Sequence, residues 1–245
     1  MNPTAEELVL YADEDVLAIN KPAGLPTLPD GYDREAAHVR SVLWPLYGRL
    51  WIVHRLDRET SGVLALARSA EAHRDLNMQF ESHQALKVYH ALVVGEPTWE
   101  STMVDLPLLP DGDRRHRTLV DDEHGKPART EMHVLERFEG YSLVQAVPRS
   151  GRTHQIRAHL SALGYSLVGD RLYGVSEGLF LSELKPGFCG GIAGECALIR
   201  RVGLHARSLE LTHPSRGDAL RFEAPYPKDF AAALRQLRRY SLPPA

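Results

Sequence analysis

Residues 54–62 read HRLDRETSG, and an apolar run, VLALA, follows them directly. One carboxylate, Asp57, stands there between Arg55 and Arg58, with His54 opening the stretch. In an extended segment Arg55 and Asp57 alternate onto the same side. Nearby opposite charges favour an ionised carboxylate, which can act as a nucleophile or a general base. The alternative is a surface ion-pair network. A catalytic role for Asp57 is favoured because the charged residues lie where a loop enters the apolar core.

Working outward from this stretch, apolar periodicity predicts more strands than helices. Strands are predicted over 8–12, 16–20, 63–67, 87–95, 130–138, 141–149, 204–211 and 219–225. Helices are predicted over 70–83, 153–163 (with Thr153 as N-cap) and 229–240. Residues 21–24, KPAG, break the second strand. The order of elements indicates an α+β fold with a mixed, largely antiparallel sheet flanked by helices. A glycine-rich stretch within 175–201 is interpreted as a variable insertion loop.

The composition is that of an ordinary globular chain. It has 245 residues, 43% hydrophobic and 25% charged, and no apolar run of membrane-spanning length. The first residues lack the basic and apolar regions of a signal peptide. Two cysteines, Cys189 and Cys196, make no disulfide framework. We therefore expect a cytoplasmic protein that does not interact with membranes.

The charge distribution gives a mixed indication about nucleic acids. A net charge of −3 argues against a nucleic-acid binder. The arginines, however, are clustered at 55–58, 114–117, 149–157, 200–207 and 235–239. Arginine suits bidentate contact with phosphate. GC-rich codon usage would also enrich arginine, so the clusters matter only if they fold onto one face.

A second group of polar residues lies at 151–159, GRTHQIRAH. On a helix, Arg157 flanks the apolar stripe and needs an anionic partner, for which Asp57 is a candidate. His154 and His159 are five apart, which does not align two metal ligands on one helix face, and no HExxH pattern is present. No CxxC pair occurs either. We therefore expect no metal site.

Tyr89 lies in a predicted central strand, where a tyrosine is ordinarily part of the core. Its ring could instead form the wall of a base-binding pocket, because aromatic faces stack on nucleobases. The chain contains no Walker A sequence, no GxGxxG fingerprint and no GxSxG elbow. A nucleotide cofactor is therefore not indicated.

Several segments together resemble the RluA family of pseudouridine synthases, in order and over nearly the whole chain. They are NKPAGLPT, HRLDRETSG, KVYHALVVGEP, GKPARTE, GRTHQIRAHLSALGYSLVGDRLYG, LHARSLELTHP and FEAPYP. The resemblance implies a pseudouridine synthase fold with a central active-site cleft, as one catalytic domain over 5–241. It also implies isomerisation of uridine to pseudouridine in RNA, without cofactor or metal.

The resemblance further assigns roles to individual residues. The essential aspartate corresponds to Asp57, its basic partner to Arg157, and the tyrosine that stacks on the flipped base to Tyr89. Arg55 matches the arginine that replaces the extruded nucleotide, and Leu204 the aliphatic residue beside the uracil. The other residues expected to bind substrate are Arg58, Arg152 and His154, although Arg58 could serve only to balance charge.

Because NKPAG begins at Asn20, we expect no S4 RNA-binding domain before it, and the chain resembles the shorter, stand-alone members of the family. We expect a monomer acting on ribosomal RNA or transfer RNA, with the target RNA left open. Two alternatives belong to other classes. An RNA-binding module without catalysis would not need Asp57, and an aspartate-dependent hydrolase of small molecules would be indifferent to RNA.

Overall fold

The computed structural model describes residues 4–29, 33, 36–185, 187–188 and 195–241. Cys189 and part of the predicted insertion loop lie outside these residues. The helices are α1 (Ala5–Leu8), α2 (Val39–Tyr47), α3 (Ala70–Glu81), α4 (Gln155–Ala162), α5 (Leu181–Leu184) and α6 (Lys228–Tyr240). The strands are β1 (Val9–Ala12), β2 (Val16–Lys21), β3 (Trp51–Ile52), β4 (Ser61–Ala67), β5 (Leu86–Val94), β6 (Ser101–Asp105), β7 (Leu108–Leu109), β8 (Leu119–Val120), β9 (Arg129–Phe138), β10 (Tyr141–Pro148), β11 (Leu204–Thr212) and β12 (Ala219–Glu223).

The chain divides into two compact units, each built from separate stretches of sequence. Unit 1 runs to Val88 and resumes over His205–Pro225. Unit 2 covers Tyr89–Leu204 and continues from Tyr226. Both contain strands and helices, and antiparallel pairing predominates, as the sequence predicts for an α+β fold. Among the described residues, no helix is long and apolar enough to cross a lipid bilayer.

In unit 1 the central strand is β4, which begins inside the HRLDRETSG stretch. Strands β1, β2, β4 and β11 follow one another across the sheet, with β3 also paired to β4 and β12 to β11. Only the pairing of β4 with β11 is parallel among the described pairs of this unit. Every residue of β4 is buried. This double-sided burial explains the uninterrupted apolar run VLALA.

Gly62 permits the close approach of β4 and β11. Its φ of +113° is one that residues with a side chain rarely adopt. A Cβ atom at this position would lie 2.1 Å from the carbonyl oxygen of Ala206. The glycine of HRLDRETSG is therefore required by the parallel strand pair.

Unit 2 contains an antiparallel sheet in the order β5, β10, β9, β6 and a separate hairpin of β7 with β8. Helix α4 contributes Ile156 and Leu160 to one apolar cluster of this unit. Helix α6 contributes Phe230 and Leu237, among others, to a second cluster. The two clusters anchor the helices that flank the sheet.

Most predicted elements are confirmed, with boundary changes that have local causes. The predicted first strand loses Leu8, which ends α1, a short helix with a capping box at Thr4. The prediction of Thr153 as N-cap of α4 is wrong, since the N-cap is His154 in a left-handed conformation with φ of 52°. Helix α2 and strands β3 and β6 were not predicted. The sequence signal of α2 is weak because Pro45 lies inside it.

Candidate active site

The backbone beside Asp57 is anchored by a buried lysine. Lys21 is fully buried, and its Nζ donates hydrogen bonds to the carbonyl oxygens of Pro22 (3.0 Å), Leu25 (2.8 Å) and Arg58 (3.2 Å). The amide of Gly24 also donates to the Arg58 carbonyl, at 2.8 Å. The segment that breaks the second strand therefore holds the loop that carries Asp57.

The residues around Asp57 alternate between core and solvent. Leu56 is buried, and both its amide and its carbonyl bond to the hydroxyl of Thr27, at 3.2 and 2.8 Å. Arg55 and Arg58 are exposed, while Asp57 is half-buried. The carbonyl of Asp57 accepts the amide of Thr60 at 3.1 Å. The loop thus presents the Asp57 carboxylate from a backbone fixed on both sides.

His54 is partly buried and does not add charge to this loop. Its ring stacks on Phe80, with the centroids 4.4 Å apart. Its Nε2 accepts a hydrogen bond from the Ala65 amide at 3.0 Å. Burial, followed by the nearby charge of Lys87, lowers the pKa of His54 to about 3. The imidazole is therefore neutral and satisfies a backbone donor of β4.

This lowered pKa predicts an acid-sensitive fold. Between pH 6.5 and about 3 the unfolded chain binds a proton at His54 that the folded chain does not. Stability therefore falls as the pH falls through this window, with a contribution of about 2 to 3 kcal/mol at pH 4.5. Denaturant unfolding at pH 7 and pH 4.5 measures it. In His54→Phe this contribution should vanish, although the variant is less stable at pH 7 because the Ala65 amide loses its acceptor. Equal pH slopes in the two proteins would contradict the assignment.

A buried serine–histidine pair connects β4 with β11. The Ser61 hydroxyl lies 3.0 Å from Nδ1 of His205, whose Nε2 lies 3.2 Å from the Ala224 carbonyl. Because a carbonyl only accepts, Nε2 carries the proton and the Ser61 hydroxyl donates. Both side chains are inside the sheet. The pair fixes the register of the two strands.

In unit 2, Arg157 is held by a carboxylate that the sequence analysis did not single out. Its Nε and Nη2 donate to the two carboxylate oxygens of Asp170 at 2.7 and 2.8 Å. Asp170 also accepts the amides of Leu172 and Tyr173 at 3.0 and 3.1 Å. The Arg157 guanidinium lies 4.9 Å from the centre of the Tyr173 ring. The pairing of Arg157 with Asp57 stays a prediction.

Arg152 and His154 lie in the turn that leads into α4. Nε of Arg152 donates to the Pro127 carbonyl at 3.2 Å, and Nδ1 of His154 lies 3.2 Å from the Tyr173 hydroxyl. Gln155 accepts from the Arg152 amide at 3.0 Å and from the Ser150 hydroxyl at 2.7 Å. The turn is therefore fixed by its own hydrogen bonds.

Tyr89 and Leu204 meet in one apolar cluster of unit 2. Tyr89 lies on β5 opposite Ala146 and is partly buried. Leu204 is buried in the same cluster, together with Ile156 of α4. The structure thus brings together two of the predicted uracil-contacting residues and the helix that carries Arg157. Among the described residues, no group of three or more His, Cys, Asp or Glu is placed to hold a metal ion.

Comparison with known proteins identifies the chain. The family model described as "RNA pseudouridylate synthase" matches residues 15–162. The chain belongs to the RNA pseudouridylate synthase family. The matched range includes Asp57, Tyr89 and Arg157, whereas Asp170 and Leu204 lie beyond it.

Curated relatives of this pseudouridine synthase cover most of its length. It is 36% identical to "Ribosomal large subunit pseudouridine synthase D" of Pseudomonas aeruginosa, over 94% of this chain and 72% of the relative. It is 37% identical to "Dual-specificity RNA pseudouridine synthase RluA" of Salmonella typhimurium, over 91% and 96%. The resemblance to the RluA family is thereby confirmed.

Solved human structures share the fold of this pseudouridine synthase. "RNA Pseudouridylate Synthase Domain Containing 4" superposes with a TM-score of 0.75 at 27% identity, covering 96% of this chain and 95% of the other. "RNA Pseudouridylate Synthase Domain Containing 1" gives 0.70 at 26% identity, over 93% and 87%. The protein is an isomerase that converts uridine to pseudouridine in RNA, as the sequence predicts.

Proposed function

We propose that this pseudouridine synthase modifies specific uridines of ribosomal RNA, transfer RNA or both, with Asp57 as the catalytic carboxylate. The observation that carries the proposal is the loop at Asp57. Its backbone is anchored by Lys21 and Thr27, within a chain that belongs to the family. Curated relatives named for the ribosomal large subunit and for dual specificity support this substrate class.

The reaction exchanges one bond for another within a single nucleotide. The bond from N1 of uracil to C1′ of ribose breaks, a bond from C5 to C1′ forms, and the C5 proton is lost while N1 gains one. Because the exchange is a redox-neutral isomerisation, it consumes no oxidant, reductant or co-substrate, and we propose that it proceeds without cofactor or metal. An ionised Asp57 can begin this exchange by attacking C1′, by adding to the ring or by removing a proton from C2′. All three routes start from the same carboxylate.

The target uridine must first leave its stack, at a cost of a few kcal/mol. We assign Tyr89 to stack on the flipped base and Leu204 to pack beside it. We assign Arg55, which is exposed, to the space that the nucleotide vacates. Arg157, held in one orientation by Asp170, supplies the positive charge for Asp57.

Other basic residues are assigned to the RNA backbone. Arg58, Arg152 and His154 complete the proposed substrate-binding set. In the loop between β7 and β8, Arg114 and Arg115 are exposed, whereas Arg117 is paired with Asp113 at 2.7 Å. Arg114 is therefore the better phosphate ligand, because the guanidinium of Arg115 already donates to the Arg171 carbonyl at 2.8 Å. Contacts to phosphate position the RNA and do not specify its sequence.

We further propose that residues 5–241 act as one catalytic domain, as a monomer in the cytoplasm, with 175–201 as a variable loop. The extensive match to the 37% identical relative, of which 96% is covered, supports a single catalytic domain. Ribosomal and transfer RNA, the substrates of this proposal, act in the cytoplasm.

Mapping pseudouridines in ribosomal and transfer RNA tests the proposal. RNA from a strain lacking the gene should miss one or more pseudouridines, and the wild-type gene should restore them. The gene carrying Asp57→Asn should not. An unchanged map, together with no activity of the purified protein on that RNA, would refute the proposal. Restoration by Asp57→Asn would refute the assignment of Asp57 as the catalytic carboxylate.

A further inference from the structure

The segment that precedes Asp57 has an unusual charge composition. Residues 36–56 contain no aspartate or glutamate. They do contain Arg40, Arg49 and Arg55, together with two of the three tryptophans of the chain. In a protein with a net charge of −3, this segment is locally cationic and aromatic.

Helix α2 exposes some of these cationic and aromatic side chains to solvent. Its buried side is formed by Val39 and Leu43. Arg40 and Trp44, four residues apart, lie next to each other on an exposed side of the helix. Trp44 is 59% exposed and Leu46 51% exposed, which is unusual for large apolar side chains. The outer face of α2 therefore combines an exposed ring with a cation.

The cationic and aromatic character continues beyond the end of α2. The guanidinium of Arg49, an exposed residue, lies 4.9 Å from the centre of the Trp51 ring in β3. Among the described residues, neither Arg40 nor Arg49 forms an ion pair with a carboxylate. We refer to Arg40, Trp44, Arg49 and Trp51 as the α2–β3 surface.

Helix α3 of the same unit shows that this arrangement is not a general property of the protein surface. Arg74 and Met78 are also exposed there and are also four residues apart, with Met78 exposed at 55%. However, α3 carries Glu71, Asp75 and Glu81. These carboxylates would repel phosphate, whereas α2 has none.

We propose that the α2–β3 surface binds unpaired nucleotides of the RNA substrate, with a base stacked on Trp44 and phosphates on Arg40 and Arg49. The proposal rests on the proposed function and adds a binding surface to it. A stacking ring beside arginines is what single-stranded nucleic acid requires. Since six residues of chain reach at most about 21 Å, the surface at Trp51 lies within that distance of Asp57. It can hold nucleotides of the strand that carries the target uridine.

The dimensions of the surface argue against a protein partner. Helix α2 has nine residues and is about 14 Å long. Even complete burial of Trp44 and Leu46 covers only a few hundred Å², below the roughly 800 Å² per partner of a stable interface. The lack of carboxylates within residues 36–56 fits a polyanion, although helix α1, which packs on α2, carries the exposed Glu6 and Glu7.

The experiment compares Trp44→Ala and Arg40→Ala with Met78→Ala and Arg74→Ala as matched controls. Ribosomal and transfer RNA from a strain lacking the gene serve as the probe, with the full chain. Equilibrium binding gives Kd and its salt dependence, and release of the C5 hydrogen of uridine gives KM and kcat. Thermal melting checks that each variant is folded.

We expect Trp44→Ala to raise Kd and KM about 5- to 100-fold with kcat nearly unchanged, as loss of one stacked base predicts. Arg40→Ala should reduce the slope of log affinity against log salt by about 0.7. The two α3 variants should match wild type. The inference would be overturned if the folded α2 variants bound RNA as tightly as the α3 variants. It would also be overturned if the wild-type protein were a dimer, and Trp44→Ala dissociated that dimer without changing the affinity for RNA. If wild type itself forms no pseudouridine, the proposed function fails, whereas wild-type activity with unaffected α2 variants refutes only this inference.

Discussion

Asp57→Asn is expected to abolish pseudouridine formation while leaving RNA binding largely intact. The amide keeps the size of the carboxylate but is neither a nucleophile nor a base, so all three possible first steps are lost. Because the loop backbone is held by Lys21 and Thr27, its fold should not depend on the charge of Asp57. Release of the C5 hydrogen of uridine measures turnover, and RNA affinity is measured on the same preparation.

Asp122→Asn is the matched control for this variant. It removes one negative charge from an exposed position in the segment after β8 and should retain wild-type turnover. Turnover of Asp57→Asn near the wild-type rate would contradict the assignment of Asp57 as the catalytic residue. A parallel loss of RNA affinity would instead show that Asp57 acts in binding.

Asp170→Ala is expected to be strongly destabilising and to eliminate activity. Arg157 and Asp170 are 8% and 0% exposed, and loss of one partner leaves a buried charge uncompensated. Breaking such a pair costs about 3 to 5 kcal/mol. For a chain of this size the corresponding fall in Tm is roughly 6 to 20 °C. Differential scanning calorimetry measures it directly.

A double variant separates stability from catalysis at this pair. Arg157→Met combined with Asp170→Leu removes both charges, and apolar replacement of a buried ion pair is often neutral or stabilising. The double variant should recover part of the lost Tm, but not all of it, because the amides of Leu172 and Tyr173 lose their acceptor. It should remain inactive, since the positive charge assigned to Asp57 is gone. A Tm of Asp170→Ala within about 2 °C of wild type would contradict the structural importance of the pair. An active double variant would contradict the role of Arg157.

Local sequence patterns predict those helices and strands that bury one face and expose the other. The hairpin of β9 and β10 and helices α3 and α6 follow directly from alternation and periodicity. Helix α2 escapes prediction because Pro45 interrupts it and because Trp44 faces solvent. The parallel pairing of β4 with β11 joins residues some 140 positions apart, which no local pattern encodes.

The candidate site shows the same division between local and distant information. Asp57 is recognisable from its own neighbours in sequence. Asp170 is not, because its pairing with Arg157 depends on the turn that follows α4. His54 is expected to be part of a charged cluster, yet burial against Phe80 keeps it neutral. Periodicity treats Lys21 only as a strand break, because its buried hydrogen bonds depend on residues far along the chain.

The division of unit 1 into two stretches of sequence has a consequence for synthesis on the ribosome. Strand β4 emerges early, but its parallel neighbour β11 lies beyond residues 89–204. At translation rates of about 5 to 20 residues per second, the edge of β4 that receives β11 waits on the order of ten seconds for its partner. During that time the start of β4, at Ser61 and Gly62, lacks its partner strand, and an unpaired strand edge is prone to aggregation. The yield of native enzyme should therefore depend on translation speed and on chaperones that shield the nascent chain.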